Sequence, residues 1–378
     1  MEFNTIKPIK EPSSIETLVT QDTNLPKLPE IKLDHLYTMT DTAGMFQHAK
    51  YTIPRFIDGY CTDDNARCLI LSILLEKLGM EPEKIDTIAA RCMSFLLYAF
   101  NPKNNRFRNF MSFDRRWLEG EGSEDSHGRA VWALGMCIGR SEKHTFQKTA
   151  IELWERAISV VNKFSSIRGW TFALLGFYEY LKRFKQDSYS IQIRDALVKK
   201  LVQKFKSNSS DEWPWFEDIA SYSNAMIPRA LILSSPQTGK NNEALSIGLK
   251  SLKWLVSVQT SREKFFRPIG CHGFYKRNGE FPLFDQQPIE VYALVSTCLD
   301  VYRITHKESW LNQAHNAFDW FLGRNDLGIM VCDPETGGCR DGICGDGVNE
   351  NEGAESTLAF LLSLTELKLF EHEYSSLK

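Results

Sequence analysis

The chain has no run of about eighteen apolar residues, the length a bilayer-spanning helix needs, so no membrane span is expected. Its first twenty residues, MEFNTIKPIKEPSSIETLVT, lack a basic segment followed by an apolar core, and no secretory leader is expected either. There is no basic stripe; the net charge is -3 and the pI about 6.3, which argues against a nucleic-acid partner. Cysteine does not come in an even set: there are nine, and Cys68, Cys92, Cys137 and Cys298 fall inside apolar helical stretches. That usage fits buried thiols in a reducing, cytoplasmic setting better than a disulfide framework. The Cys and His spacing matches no compact zinc finger, and no metal or other cofactor is expected.

What is present is ample core material. The 378 residues are 43% hydrophobic and 12% aromatic, enough for one large core or two ordinary ones. Residues 1–32, rich in Pro, Lys, Glu and Thr, read as an N-terminal arm, and 33–378 as one domain. Along that domain two kinds of helix alternate. Amphipathic segments lie at 33–50, 83–100, 145–164, 190–205, 241–259 and 308–323. Segments apolar nearly all round, with polar residues confined to the first turn, lie at 62–79, 123–139, 168–184, 219–235, 285–302 and 346–367.

A helix apolar on every side must be buried on every side. Six such helices, each preceded by an amphipathic one, predict an all-α (α/α)6 toroid: an inner ring of buried helices inside an outer ring. All inner helices then run the same way, and their N-termini gather at one mouth. The long connections 101–122, 260–284 and 324–349 all precede inner helices, so they lie at that mouth too. Alternation in NRFRNFMSF predicts short β-hairpins walling a cleft there.

The first turns of the inner helices are crowded with acids: Asp63 and Asp64, Glu124 and Asp125, Glu217 and Asp218, Asp285, then Glu350, Glu352 and Glu355. Negative charge suits a helix N-terminus, which explains one acid per helix but not the surplus. Converging carboxylates, amides and rings are what a polyhydroxylated ligand requires, so the expected partner is an oligosaccharide. Nothing in the sequence fixes the oligomeric state.

The alternation and acid-rich mouth resemble the six-hairpin (α/α)6 glycosidase superfamily, which includes hydrolases, phosphorylases and sugar epimerases. FLGRNDLG at 321–328 followed by NENEGAES at 349–356 is similar to the closing segment of the inverting family-nine endoglucanases, where an Asn-Glu motif supplies the general acid. IDGYCTDDNA at 57–66 is similar to the loop that supplies their water-activating base. The turn lacks their proline, and the acidic motifs differ, as expected of a distinct branch. The resemblance implies inverting hydrolysis, with Asp63 or Asp64 as base and Glu350 or Glu352 as acid. Such a pair sits roughly 6.5–9.5 Å apart, and one member must stay protonated.

Around them, the candidate sugar-binding residues are Tyr60, Arg67, Arg116, Glu124, Asp125, His127, Trp170, Trp213, Trp215, Tyr222, His272, Asp285, Gln286 and Glu355. His127 also reads as a hydrogen-bonded structural residue, and the two tryptophans as loop anchors. Other readings remain open. Loop arginines could hold phosphate for phosphorolysis. His127 and His272 could serve an epimerase. Cys271 and His272 in GCHGFY could begin a zinc site like that of lanthionine-cyclase toroids. A non-catalytic glycan-binding role is the last alternative.

Overall fold

A computed structural model describes residues 28–238 and 243–375. Its helices are α1 Asp34–Thr38, α2 Thr62–Lys77, α3 Pro82–Ala99, α4 Glu124–Arg140, α5 His144–Ala157 and α6 Ile167–Arg183. They continue with α7 Ser188–Asn208, α8 Met226–Thr238, α9 Glu243–Val258, α10 Pro288–Thr305, α11 Glu308–Phe318 and α12 Ala354–Ser375. The even-numbered helices form the inner ring. Each packs on the next, and α12 closes the circle on α2. Helices α3, α5, α7, α9 and α11 each back onto the inner helix that precedes them. Strands occur among the described residues only as short antiparallel pairs. The fold is the expected (α/α)6 toroid. None of the helices is long and apolar enough to cross a membrane, within the described residues.

Burial explains why the inner helices are apolar all round. In α2 every residue from Asp64 to Leu75 is buried, and α10 is buried from Pro288 to Tyr302. One seam of the ring is unusually tight. A Cβ on Gly135 would stand 2.2 Å from the Gly176 carbonyl oxygen, and one on Gly128 would stand 2.7 Å from that of Gly169. Glycine on both sides thus lets the α4 and α6 backbones touch, closer than ordinary side chains allow. Away from the mouth, ion pairs close the floor: Arg140 with Glu179 at 2.6 Å and Arg229 with Asp300 at 2.8 Å.

Three elements differ most from the sequence reading, one being the sixth inner helix, which begins at Ala354 and not at 346 because Gly347–Asn349 pairs with Gly342–Cys344. The first outer helix stops after five residues instead of running to residue 50. The Asp41 side chain accepts hydrogen bonds from the Ala43 and Gly44 amides, making a turn, and Gly44 adopts φ +151°. The chain then forms a hairpin, 49–50 against 53–54, at the mouth. The fourth inner helix begins at Met226, not at 219, because Ile219–Ala220 pairs with Tyr275–Lys276. Residues 221–225 consequently descend into the ring, where the Thr297 hydroxyl donates to the Ala225 carbonyl. Of the expected N-terminal arm, residues 1–27 lie outside the described residues; Leu28 is buried, and its carbonyl accepts from Lys368.

Candidate active site

Capping accounts for few of the mouth's acids, because other residues do that work. Cys61 accepts from the Asp64 amide at the start of α2, Ser123 from the Ser126 amide in α4, and Ser166 from the Gly169 amide in α6. Glu124 is the exception. One of its oxygens takes the Ser165 and Ser166 amides at 2.7 and 2.6 Å, closing the N-terminus of α6.

Three of the remaining acids, Asp63, Asp64 and Glu355, meet two buried arginines. Arg67 reaches Asp64 at 2.6 Å with one nitrogen and Glu355 at 2.5 Å with the other, joining the first and last inner helices. Arg129 lies 3.4 Å from one oxygen of Asp63 and covers the Phe172 ring. The other Asp63 oxygen is buried without a partner. Asp64 is fully engaged, since the Cys61 thiol donates to its second oxygen at 2.8 Å. Burial pushes its carboxyl up to about 6, although Arg67 opposes that. Asp125 accepts from the Ser166 and Tyr222 hydroxyls, one on each oxygen. Burial, then the Asp125 hydrogen bond, raises the Tyr222 phenol well above its ordinary range. Asp341, from the loop before α12, takes the Gly353 amide at 2.9 Å on one oxygen, and burial raises its carboxyl.

Two cavities flank this cluster. One, of about 360 Å³, is lined by Gln47, His48, Cys61, Asp64, Asn109, Phe110, Gln287, Asp341, Asn349 and Ser356 among others. The second, of about 510 Å³, is lined by Ser123, Glu124, Asp125, Arg129, Ser166 and Tyr222. Asp63, Arg67 and Glu355 line both, so the two are compartments of one cleft meeting at those three side chains.

Other candidate residues lie elsewhere. Tyr60 is buried and donates to Asp41 at 2.7 Å. His127 is in the core: the Phe107 amide donates to Nδ1, and Nε2 faces the Ala157 carbonyl at 3.0 Å. Burial pushes its imidazole down to about 3, so it stays neutral. Trp170, Trp213 and Trp215 are also packed inside, with Trp170 and Trp213 donating to the Phe164 and Glu217 carbonyls; all three anchor loops and offer no stacking face in the cleft. Gln286 is fully buried, bonded to Trp320 and Asp326. Arg116 is exposed and paired with Asp114, while Glu350 and His272 are exposed. Asp285 lines neither compartment. Around Cys271 and His272 no metal cluster forms: among the described residues no group of three or more His, Cys, Asp or Glu could hold a metal ion.

Glu352 is turned away from the cleft, against His35 and Gly338. Its Oε2 has no hydrogen-bond partner, and burial followed by Asp333 raises its carboxyl to about 7. A carboxyl raised above its unfolded value holds its proton more tightly when folded. Its contribution to stability is therefore lost as pH rises from about 4.5 to about 7 and stays lost above that. Glu352→Gln is expected to melt higher than the parent at pH 8 and level with it at pH 4, as read by calorimetry.

The sequence reading missed Gln47, His48, Asn109, Phe110, Asp341 and Ser356. The TDTAG turn was the available signal for the first two, because a helix ending there brings 47 and 48 to the mouth. Asp341 carried no signal of its own, being one acid in a glycine-rich loop.

No protein-family model matches the sequence, and no curated protein does. Solved structures do match, and they carry the six-hairpin toroid. Cellobiose 2-epimerase from Bacillus thermoamylovorans superposes with a TM-score of 0.69 at 11% identity, covering 89% of this chain and 96% of that one. A cellulase of C. cellulolyticium in complex with cellobiose gives 0.57 at 11%, covering 89% and 90%. An inactive variant of an α-1,6-mannanase from Salegentibacter sp., with two consecutive aspartates changed to alanine and α-1,6-mannotetrose bound, gives 0.55 at 12%, covering 89% and 96%. The neighbours are thus six-hairpin glycosidase-like enzymes, and they include both hydrolases and sugar epimerases.

Proposed function

We propose that the chain is a glycoside hydrolase that cleaves an oligosaccharide by an inverting mechanism, with Asp63 as base and Asp341 as acid. The observation that carries this is the unpartnered Asp63 oxygen at the junction of two compartments, where a scissile bond would have a sugar on each side. Elimination supports the assignment. Both oxygens of Asp64 and of Asp125 are taken by donors, Glu124 holds the start of α6, and one oxygen of Glu355 is held by Arg67 at 2.5 Å. Among the described residues Asp341 pairs with no arginine; burial raises its carboxyl, although the Ser356 hydroxyl and the Gly353 amide oppose that, and it keeps its proton to higher pH, as a general acid must. Asp63 would take a proton from water while Asp341 protonates the leaving oxygen.

Phosphorolysis is less well supported, because Arg67 and Arg129 are already turned to carboxylates. Epimerisation by histidine finds, among the described residues, only His48 on the cleft wall. A second reading pairs Asp63 with Asp64, as the consecutive aspartates of the mannanase suggest.

The test is incubation with manno- and cello-oligosaccharides in H2(18)O without phosphate. One heavy oxygen per cleavage is expected, with the first-formed anomer by NMR opposite to that of the substrate. Interconversion of a sugar without cleavage would overturn the reading, and a retained anomer would overturn the inverting assignment.

A further inference from the structure

The described residues expose fifteen large apolar side chains, and nine of them fall on two short stretches, 51–57 and 97–118. Apart from Leu97 and Tyr98, which end α3, these residues lie on connections that enter inner helices at the mouth, and the second stretch gives Phe110 to the wall of the first compartment. The core of this surface is a ladder of rings: Phe56 lies parallel to Phe113 at 4.7 Å, and Phe46 stacks on Phe56 and on Tyr60 at 4.9 Å. Next to Phe56 in the chain Ile57 is 86% exposed, and on the same two stretches Ile53 is 68% and Leu118 67% exposed. Clustered apolar exposure of this kind marks a binding surface, whereas scattered exposure does not.

The surface is continuous with the cleft. Phe110 lines the first compartment and is itself exposed, and its strand pairs with Tyr60–Cys61, of which Cys61 is also a wall residue. It is also held rigidly to the acids. The Glu352 amide donates to the Tyr51 carbonyl at 2.9 Å and the Ala354 amide to that of Gln47 at 3.1 Å, so the 47–57 hairpin is fastened to the start of α12.

The chemistry of the ladder suits hydrocarbon better than sugar. A saccharide needs hydroxyl partners, yet Ile53, Ile57 and Leu118 offer none. The facing surfaces of Phe56 and Phe113 are spent on each other. The geometry points to a seat for a hydrocarbon aglycone: we infer that the substrate is an amphipathic glycoside whose sugar enters the cleft and whose alkyl or acyl chain lies across Phe56, Ile57 and Phe113. This rests on the carbohydrate reading of the cleft and adds the class of group beyond the sugar.

The test is calorimetric titration with paired methyl and octyl glycosides of glucose and mannose, both anomers, below micellar concentration. The octyl member of at least one pair is expected to bind about tenfold tighter or more, in line with transfer of several methylenes from water. Ile57→Asp, at a position too exposed to endanger folding, and the double change Phe56→Ser with Ile57→Ser should each remove most of that advantage. Equal affinities within every pair, absence of binding, or an octyl advantage untouched by the variants would overturn the inference. A dimer in sedimentation that Ile57→Asp dissociates would assign the surface to a second copy, and would overturn it as well. Binding is read without turnover, so an octyl preference in a protein that hydrolyses nothing would count against the hydrolase reading alone.

Discussion

Asparagine at position 63 is expected to lower kcat about a thousand-fold while leaving the melting temperature nearly unchanged. Loss of a positioned base removes roughly 10²–10⁴ in rate. The fold should tolerate it, because the Asp63 side chain is about a quarter exposed, one of its oxygens has no partner, and the other meets Arg129 only at 3.4 Å. Asp341→Asn is expected to fall comparably on substrates with poor leaving groups and to recover on an activated aryl glycoside, which needs little protonation to depart. Asp64→Asn should cost less, since that carboxylate serves Cys61 and Arg67. If instead Asp64→Asn matched Asp63→Asn and Asp341→Asn kept full activity on all substrates, the consecutive aspartates would be the working pair.

Arg67→Met is expected to destabilise the protein by about 3–5 kcal/mol at neutral pH, the usual cost of stranding a buried charge. Both partners of Arg67 lose their cation, but Asp64 is the one that is buried, with its side chain 4% exposed. The deficit should depend on pH in a definite direction. Without Arg67 the Asp64 carboxyl rises further above its present value of about 6, so the penalty is full at pH 8 and fades as pH falls and the group protonates. Denaturant titrations of parent and variant at pH 5 and pH 8 measure this. Combining Arg67→Met with Asp64→Asn should recover part of the loss, as coupled partners do. A deficit equal at both pH values would mean that Arg67 matters for packing and not for charge.

The architecture was legible because burial leaves a strong mark. Segments such as CLILSILLEKLG and VYALVSTCLDVY have no polar face, and alternation with amphipathic segments leaves a closed double ring as the natural packing. The acids at helix starts were legible for the same reason, since Asp63, Asp64 and Glu355 are polar exceptions at the heads of apolar helices. What was not legible depended on side-chain direction. Trp213 and Trp215 carry the same letters whether they stack on a sugar or plug a loop, and only the indole bond to Glu217 and the packing around Trp254 distinguish the two. Glu352 sits three residues before Glu355, yet it precedes the helix and is turned to His35, whereas Glu355 reaches Arg67. His127 looked like a mouth residue from its place in α4, but its ring lies between Phe107 and Phe164.

The touching backbones of α4 and α6 supply a fingerprint for finding other chains of this kind. Identity to the solved toroids is only 11–12%, so general alignment has little to hold. Gly128 and Gly135 are seven residues apart on one inner helix, and Gly169 and Gly176 are seven apart on the next. Seven residues make close to two helical turns, so each pair presents a bare stripe to the other. Any chain building the same contact has no room for a side chain at the places of Gly128, Gly135 and Gly176, and little at that of Gly169. A pattern of two glycine heptads on consecutive buried helices would therefore retrieve relatives by their construction and not by their chemistry.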